Sequence, residues 1–167
     1  MHCPAADIGL VDVQSAAELA QAKALMRAYA ASLKVDLGFQ NFESELADLP
    51  GDYAPPLGAL VIATVNGVAA GCCALRAIQD VDYPNACEMK RLYVSPAFRG
   101  FGLGRMLVDR IMATGRAVGY SHMLLDTLDE METARALYRD AGFEEVDAYY
   151  YNPLPGTRYL AAKLQSA

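Results

Sequence analysis

Between Leu92 and Arg105 the chain reads Leu-Tyr-Val-Ser-Pro-Ala-Phe-Arg-Gly-Phe-Gly-Leu-Gly-Arg. This is an apolar strand pattern that breaks into a glycine-rich turn and continues as an amphipathic helix. Leu103, Leu107, Val108, Ile111 and Met112 recur at helical spacing and form one apolar face. Residues 123–127 read as a second strand beyond that helix. A strand, a helix and a strand in this order predict a parallel βαβ crossover. The turn also has a chemistry of its own. The first-turn N–H groups of a helix lack internal acceptors and lie at the positive end of its dipole, which makes an anion site. Glycines at 100, 102 and 104 let a phosphate approach the backbone, and Arg99 and Arg105 add positive charge. The dinucleotide fingerprint requires glycine at 105, where Arg105 stands. The P-loop requires Lys and then Ser or Thr after the last glycine, where Arg105 and Met106 follow Gly104. Both nucleotide motifs fail, and on this turn alone an ordinary tight turn before a core helix explains the pattern equally well.

The rest of the chain supplies the other layers. A strand is expected over residues 8–13, and Ser15-Ala-Ala-Glu18 reads as a capping box. Leu19, Ala22, Leu25, Met26, Tyr29 and Leu33 carry that helix onward. Phe39, Phe42, Leu46 and Leu49 suggest a second short helix, stopped at Pro50-Gly51. Strands over 59–65 and 68–77 flank Asn66-Gly67, a pair suited to a tight hairpin because both positions need positive φ. Residues 87–94 form the next antiparallel strand. Asp129 is placed to cap a late helix with Glu132 three residues on. Met131, Ala134, Leu137, Tyr138 and Ala141 line that helix, and Gly142 ends it. Strands near 143–148 and 158–164 close the chain. The class is α/β: an antiparallel meander leading into a parallel βαβ, flanked by helices. At 167 residues it reads as a single domain over 1–167.

Composition narrows the function classes. Hydrophobic residues make up 54% of the chain and charged ones 20%, enough to bury a sizeable core. The net charge of −6 argues against a nucleic-acid surface and suits a cationic acceptor. Cys3, Cys72, Cys73 and Cys87 form no C-x-x-C pair and read as small buried hydrophobes in a reducing compartment. Cys72 and Cys73 are expected on opposite faces of their strand. His2 and His122 lack partners at metal-ligand spacing, so no metal is expected. The first residues carry no basic region followed by an apolar run. No stretch approaches the ~20 apolar residues that span a bilayer. The expected setting is cytoplasmic, with no membrane association.

Arg99-x-x-Gly102-x-Gly104 matches the [Q/R]-x-x-G-x-[G/A] signature of the GNAT acetyltransferases. Glu88-Met-Lys-Arg-Leu-Tyr-Val-Ser-Pro resembles the strand before that signature, and Ala134-Arg-Ala-Leu-Tyr138-Arg-Asp-Ala-Gly-Phe143 resembles the later A-x-x-L-Y-x-x-x-G-F segment. With all three in register, the chain resembles this superfamily across roughly residues 8–165. The resemblance implies an acetyl-CoA-dependent N-acetyltransferase transferring to a primary amine by direct attack. It implies two splayed parallel strands, with the pantetheine arm pairing to Leu92, Tyr93 and Val94. It places the pyrophosphate on the turn formed by Arg99, Gly100, Phe101, Gly102, Leu103, Gly104 and Arg105. A backbone N–H near Leu92 would polarise the thioester carbonyl. One departure stands out: many relatives carry Asn where this chain has Met131, so packing there is expected to be apolar.

The reaction moves two protons. Tyr138 is the acid that the resemblance implies for the departing thiolate, with packing on its helix as the simpler role. Glu88, on the strand bordering the wedge, is the candidate base, with a pair to Lys90 or Arg76 as the simpler role. Tyr149, Tyr150 and Tyr151 precede a Pro-rich loop and either wall the amine site or pack on the sheet or a dimer partner. The expected acceptor is a small amine or a basic peptide, preferred over an amino acid with a free carboxylate. Relatives in this family are often dimers, which leaves a homodimer open. The competing reading is a non-catalytic acyl-CoA-binding or sensing module on the same scaffold.

Overall fold

The computed structural model describes residues 3–33, 36–129 and 131–165. One seven-stranded sheet runs through it. The strands are β1 (Ile8–Asp12), β2 (Ala59–Val65), β3 (Val68–Ile78), β4 (Ala86–Val94), β5 (His122–Leu128), β6 (Glu144–Val146) and β7 (Thr157–Lys163), in the spatial order β1-β2-β3-β4-β5-β7-β6. The helices are α1 (Ala16–Ser32), α2 (Phe42–Asp48), α3 (Leu103–Val118) and α4 (Glu132–Asp140). The β1 to β4 meander is antiparallel throughout, and β4 and β5 are parallel across α3. The hairpin at Asn66 and Gly67 has φ of 51° and 80°, as its sequence requires.

Each face of the sheet buries one apolar layer. On one face α3 sets Leu103, Leu107, Val108 and Ile111 against Val61, Cys73, Leu75, Met89, Met123 and Leu125. On the other, Ala22, Leu25 and Met26 of α1, with Phe42 and Leu46 of α2, cover Leu60, Ile62, Cys72 and Ala74. Each fully buried Leu or Ile here contributes about 1.5–3 kcal/mol of transfer free energy. Cys72 and Cys73 do lie on opposite faces. Cys72, Cys73 and Cys87 are buried thiols whose pKa is raised by desolvation, to about 12 for Cys72 and Cys87. Cys3 is exposed, so the buried-hydrophobe expectation fails for it.

The Ser15 capping box is present. The Glu18 amide donates to Ser15 Oγ at 3.1 Å, and the Ser15 amide donates back to Glu18 Oε1 at 2.9 Å. Phe39 falls in a 3₁₀ turn before α2, and its side chain lies outside the described residues, as does His2. Asp129 does not cap α4. Met131 occupies the N-cap position without a side-chain bond, and the Asp129 carboxylate is paired with Arg158 on β7 instead. Gly142, at φ 100°, ends α4 as expected, with the Phe143 amide donating back to the Tyr138 carbonyl at 3.0 Å. Among the described residues no helix is long and apolar enough to cross a membrane.

Candidate active site

The site begins where two strands part. β4 and β5 pair at Ala86 with His122, Cys87 with Met123 and Glu88 with Leu124, and the ladder stops there. β4 continues to Val94 and β5 to Leu128. The β5-facing edge of β4 beyond Glu88 therefore has no strand partner, and an unpaired edge can hydrogen-bond an extended ligand. Within this stretch β4 carries a bulge. The register to β3 shifts between Cys72 and Ala74, and Arg91 sits at φ 62°.

A cleft runs from the wedge to the glycine turn. Leu92, Tyr93 and Val94 of β4 line it with Arg99, Gly100, Gly102, Leu103, Gly104 and Arg105. Met131, Ala134 and Leu137 form the opposite wall. Among the described residues, none of the backbone N–H groups of residues 100–105 donates to a protein acceptor. Six such donors at a helix N-terminus make a cradle for an anion. Gly100 and Gly102 sit at φ 94° and 75°, and no atom lies within 4 Å of where a Cβ would stand on either. The open side of the turn thus belongs to the cleft. A Cβ on Gly104 would meet Leu137 at 2.9 Å, so that glycine also permits the approach of α4. The Phe101 side chain is 41% exposed and does not line the cleft, so this residue can serve the turn only through its backbone. Arg105 is shared with Asp109 in a 3.4 Å surface pair, while Arg99 has no ion pair among the described residues.

A second, inner cavity meets this cleft at Tyr29, Leu92 and Met131. It is lined by charged and polar groups from four elements: Gln40, Lys90 and Arg91, Asp126, and Asn152. Arg91 is held by Glu45 at 2.9 and 3.1 Å, by Gln40 Oε1 at 2.8 Å and by the face of Phe42, with 5.1 Å from guanidinium carbon to ring centre. Gln40 donates through Nε2 to the Tyr150 hydroxyl at 3.2 Å. Tyr150 donates to Asp126 Oδ2, which also accepts from Asn152 Nδ2 at 2.8 Å. Burial lowers the pKa of the Lys90 ammonium and raises that of the Tyr150 phenol, with Asp126 adding to the second shift.

Tyr138 lines the inner cavity. Its ring packs edge-to-face on Phe143, and its hydroxyl has no hydrogen-bond partner among the described residues. Desolvation raises its pKa, so the phenol is protonated at neutral pH. Glu88 does not line either space. It is 1% exposed, and its Oε1 accepts from Arg76 Nε and Nη2 at 2.8 and 2.7 Å. Its Oε2 accepts the Tyr149 hydroxyl at 2.6 Å. Both oxygens thus have protein partners, and the pair to Arg76 is the simpler role expected for this carboxylate. Tyr149 and Tyr150 pack inward with Tyr159, whereas Tyr151 is 84% exposed.

The cavity adds Arg91, Asp126, Gln40 and Asn152 to the expected site residues, and Lys90 in a role other than partner of Glu88. Three of these carried a readable signal. Lys90-Arg91 and Asp126 interrupt otherwise apolar strands, and charges in such strands require partners or a ligand. Gln40 sits in the short 3₁₀ turn before α2 and Asn152 in a loop, where composition carries no such mark. His122 opens β5 and packs on Tyr83 with ring centres 5.1 Å apart. Among the described residues no group of three or more His, Cys, Asp or Glu could hold a metal ion.

Known proteins share this sequence pattern and this fold. An uncharacterized N-acetyltransferase of Schizosaccharomyces pombe is 38% identical over 159 residues, covering 95% of this chain and 96% of the relative. A GNAT-family acetyltransferase from Staphylococcus aureus Mu50 superposes with a TM-score of 0.76 at 18% identity, over 95% of this chain and 100% of that one. An N-acetyltransferase from Thermoplasma acidophilum, solved in complex with coenzyme A, superposes at 0.70 with 15% identity, over 94% and 99%. The acetyltransferase (GNAT) family profile matches residues 22–143. With its splayed strands, its open amide turn and these relatives, the chain belongs to the acetyltransferase (GNAT) family.

Proposed function

We propose that this protein is an acetyl-CoA-dependent N-acetyltransferase acting on the primary amine of a small acceptor. The observation that carries the reading is the meeting, at Leu92, of a cleft ending in six open amides with a polar inner cavity. The first fits a long anionic carrier, the second a small polar acceptor. The Thermoplasma neighbour's coenzyme A agrees with the first assignment.

When bound, acetyl-CoA supplies an activated acetyl thioester. The amides of residues 100–105, with Arg99, hold its pyrophosphate, and the free edge of β4 at Leu92, Tyr93 and Val94 orients the arm. The bulge at Arg91 turns the Leu92 backbone toward the carbonyl as an oxyanion donor. An alkylammonium of pKa near ~10.4 is neutral in only about one molecule in a few thousand at pH 7, so removing its proton matters. Asp126 takes this role in place of Glu88. It lines the cavity, and its Oδ1 accepts no bond among the described residues. Tyr138 Oη gives its proton to the departing sulfur. Its raised pKa weakens it as an acid, but the same dry surroundings raise the pKa of the thiol it protonates.

Calorimetric titration tests the carrier assignment. Wild-type protein binds acetyl-CoA, and Gly102→Val weakens binding at least tenfold, because a branched residue at φ 75° distorts the turn and fills the space left for phosphate. Unchanged affinity in that variant would remove the pyrophosphate from this turn.

A further inference from the structure

Lys90 is only 9% exposed, yet among the described residues its ammonium has no acceptor nearer than 3.5 Å. Gln40 Oε1 lies 3.5 Å away and is already taken by Arg91 at 2.8 Å. Glu88 Oε1 lies 3.9 Å away and already accepts two N–H bonds from Arg76. An ammonium has three protons to donate, and burying it with no acceptor nearer than 3.5 Å is costly. Lys90 and Asp126 both line the inner cavity, and no ion pair within 4 Å joins them. The cavity therefore presents a cation with unused donors and an anion with an open oxygen, on the two strands that splay apart.

We infer that the acceptor is a free amino acid whose carboxylate pairs with Lys90 while its ammonium faces Asp126. This rests on the acetyltransferase reading above and specifies its acceptor. The overall charge of −6 is a sum over the whole chain and favours cations in solution. In the cavity that Lys90 and Asp126 line, the local complement is zwitterionic. Leu33, Leu37 and Leu154 also line the space and limit the acceptor's size. A polyamine would set a second ammonium against Lys90, and an internal peptide residue brings no carboxylate to it.

The test is amine-dependent thiol release from acetyl-CoA with the twenty common L-amino acids, each beside its carboxamide and its decarboxylated amine. At least one amino acid is expected to exceed both of its matched amines in kcat/KM by about tenfold to a hundredfold, the range of one charge-assisted hydrogen bond. Lys90→Met is expected to raise KM for that amino acid to the level of its carboxamide, whereas Lys90→Arg retains part of the preference. The wild-type comparison stands even if Lys90→Met fails to fold. Equal or faster turnover of the carboxamides or decarboxylated amines overturns the inference and leaves the acetyltransferase reading in place. Thiol release from no member of the panel, with acetyl-CoA still bound, also overturns it. A wild-type protein that does not bind acetyl-CoA removes both.

Discussion

Tyr138 and Glu88 were equal candidates in the sequence, and their surroundings separate them. Tyr138 brings to the inner cavity a hydroxyl without a hydrogen-bond partner among the described residues, and burial keeps it protonated. Tyr138→Phe is therefore expected to lower kcat roughly 10²-fold while changing acetyl-CoA affinity little, checked by steady-state kinetics beside calorimetry. Glu88 instead ties Arg76 and Tyr149 together inside the sheet. Glu88→Gln removes the charge and one acceptor from a buried pair, an effect of about 3 kcal/mol in the range for broken buried ion pairs. For a chain of this size that lowers Tm by roughly 6–12 °C. The pH dependence of kcat/KM in the surviving folded fraction keeps its wild-type shape. A new dependence rescued at high pH would return Glu88 to the role of base. The sequence could place Glu88 on a strand beside the wedge. It could not show that Arg76, twelve residues earlier, and Tyr149, sixty-one residues later, would claim both oxygens, because such pairing exists only after the sheet and the 149–152 loop are assembled.

At the level of elements, local signals were the most legible. The Asn66-Gly67 hairpin, the α3 face and the Gly142 stop all follow from short-range backbone rules and appear where expected. The Ser15 box is one such device, and it can be measured. Ser15→Ala is expected to cost about 1 kcal/mol, read by denaturant unfolding. The amides of Gln14 and Ser15 lower the pKa of Glu18. Because its folded pKa is depressed, the Glu18 contribution is fully present above the ordinary carboxylate value and disappears as pH falls through the folded one. Glu18→Gln therefore lowers Tm at pH 7, and the difference closes in acid. A difference independent of pH would exclude this origin. Asp129 shows where local reading stops. Its spacing to Glu132 suits a cap, but Arg158 across the sheet competes for the carboxylate.

At the scale of the whole molecule, parallel strands across α3 were predictable from the order of elements, while their separation after Glu88 and Leu124 came only from family resemblance. No residue in either strand announces where pairing ends. The clearest local cause in the structure is the bulge at Arg91, whose side chain is held by Glu45 of α2. Net charge is blind to such placement for a related reason. It sums every charged residue of the chain, whereas the cavity collects Lys90, Arg91 and Asp126 from strands that read as core. The central claim is that this assembly moves an acetyl group from a carrier in the cleft to an amine in the cavity. Its most direct test is the stoichiometry of thiol released and N-acetyl product formed by wild-type protein given acetyl-CoA and the amine panel. The account predicts release that depends on the amine and matches product one to one. Acetyl-CoA that binds yet yields no amine-dependent thiol or N-acetyl product with any acceptor would contradict it.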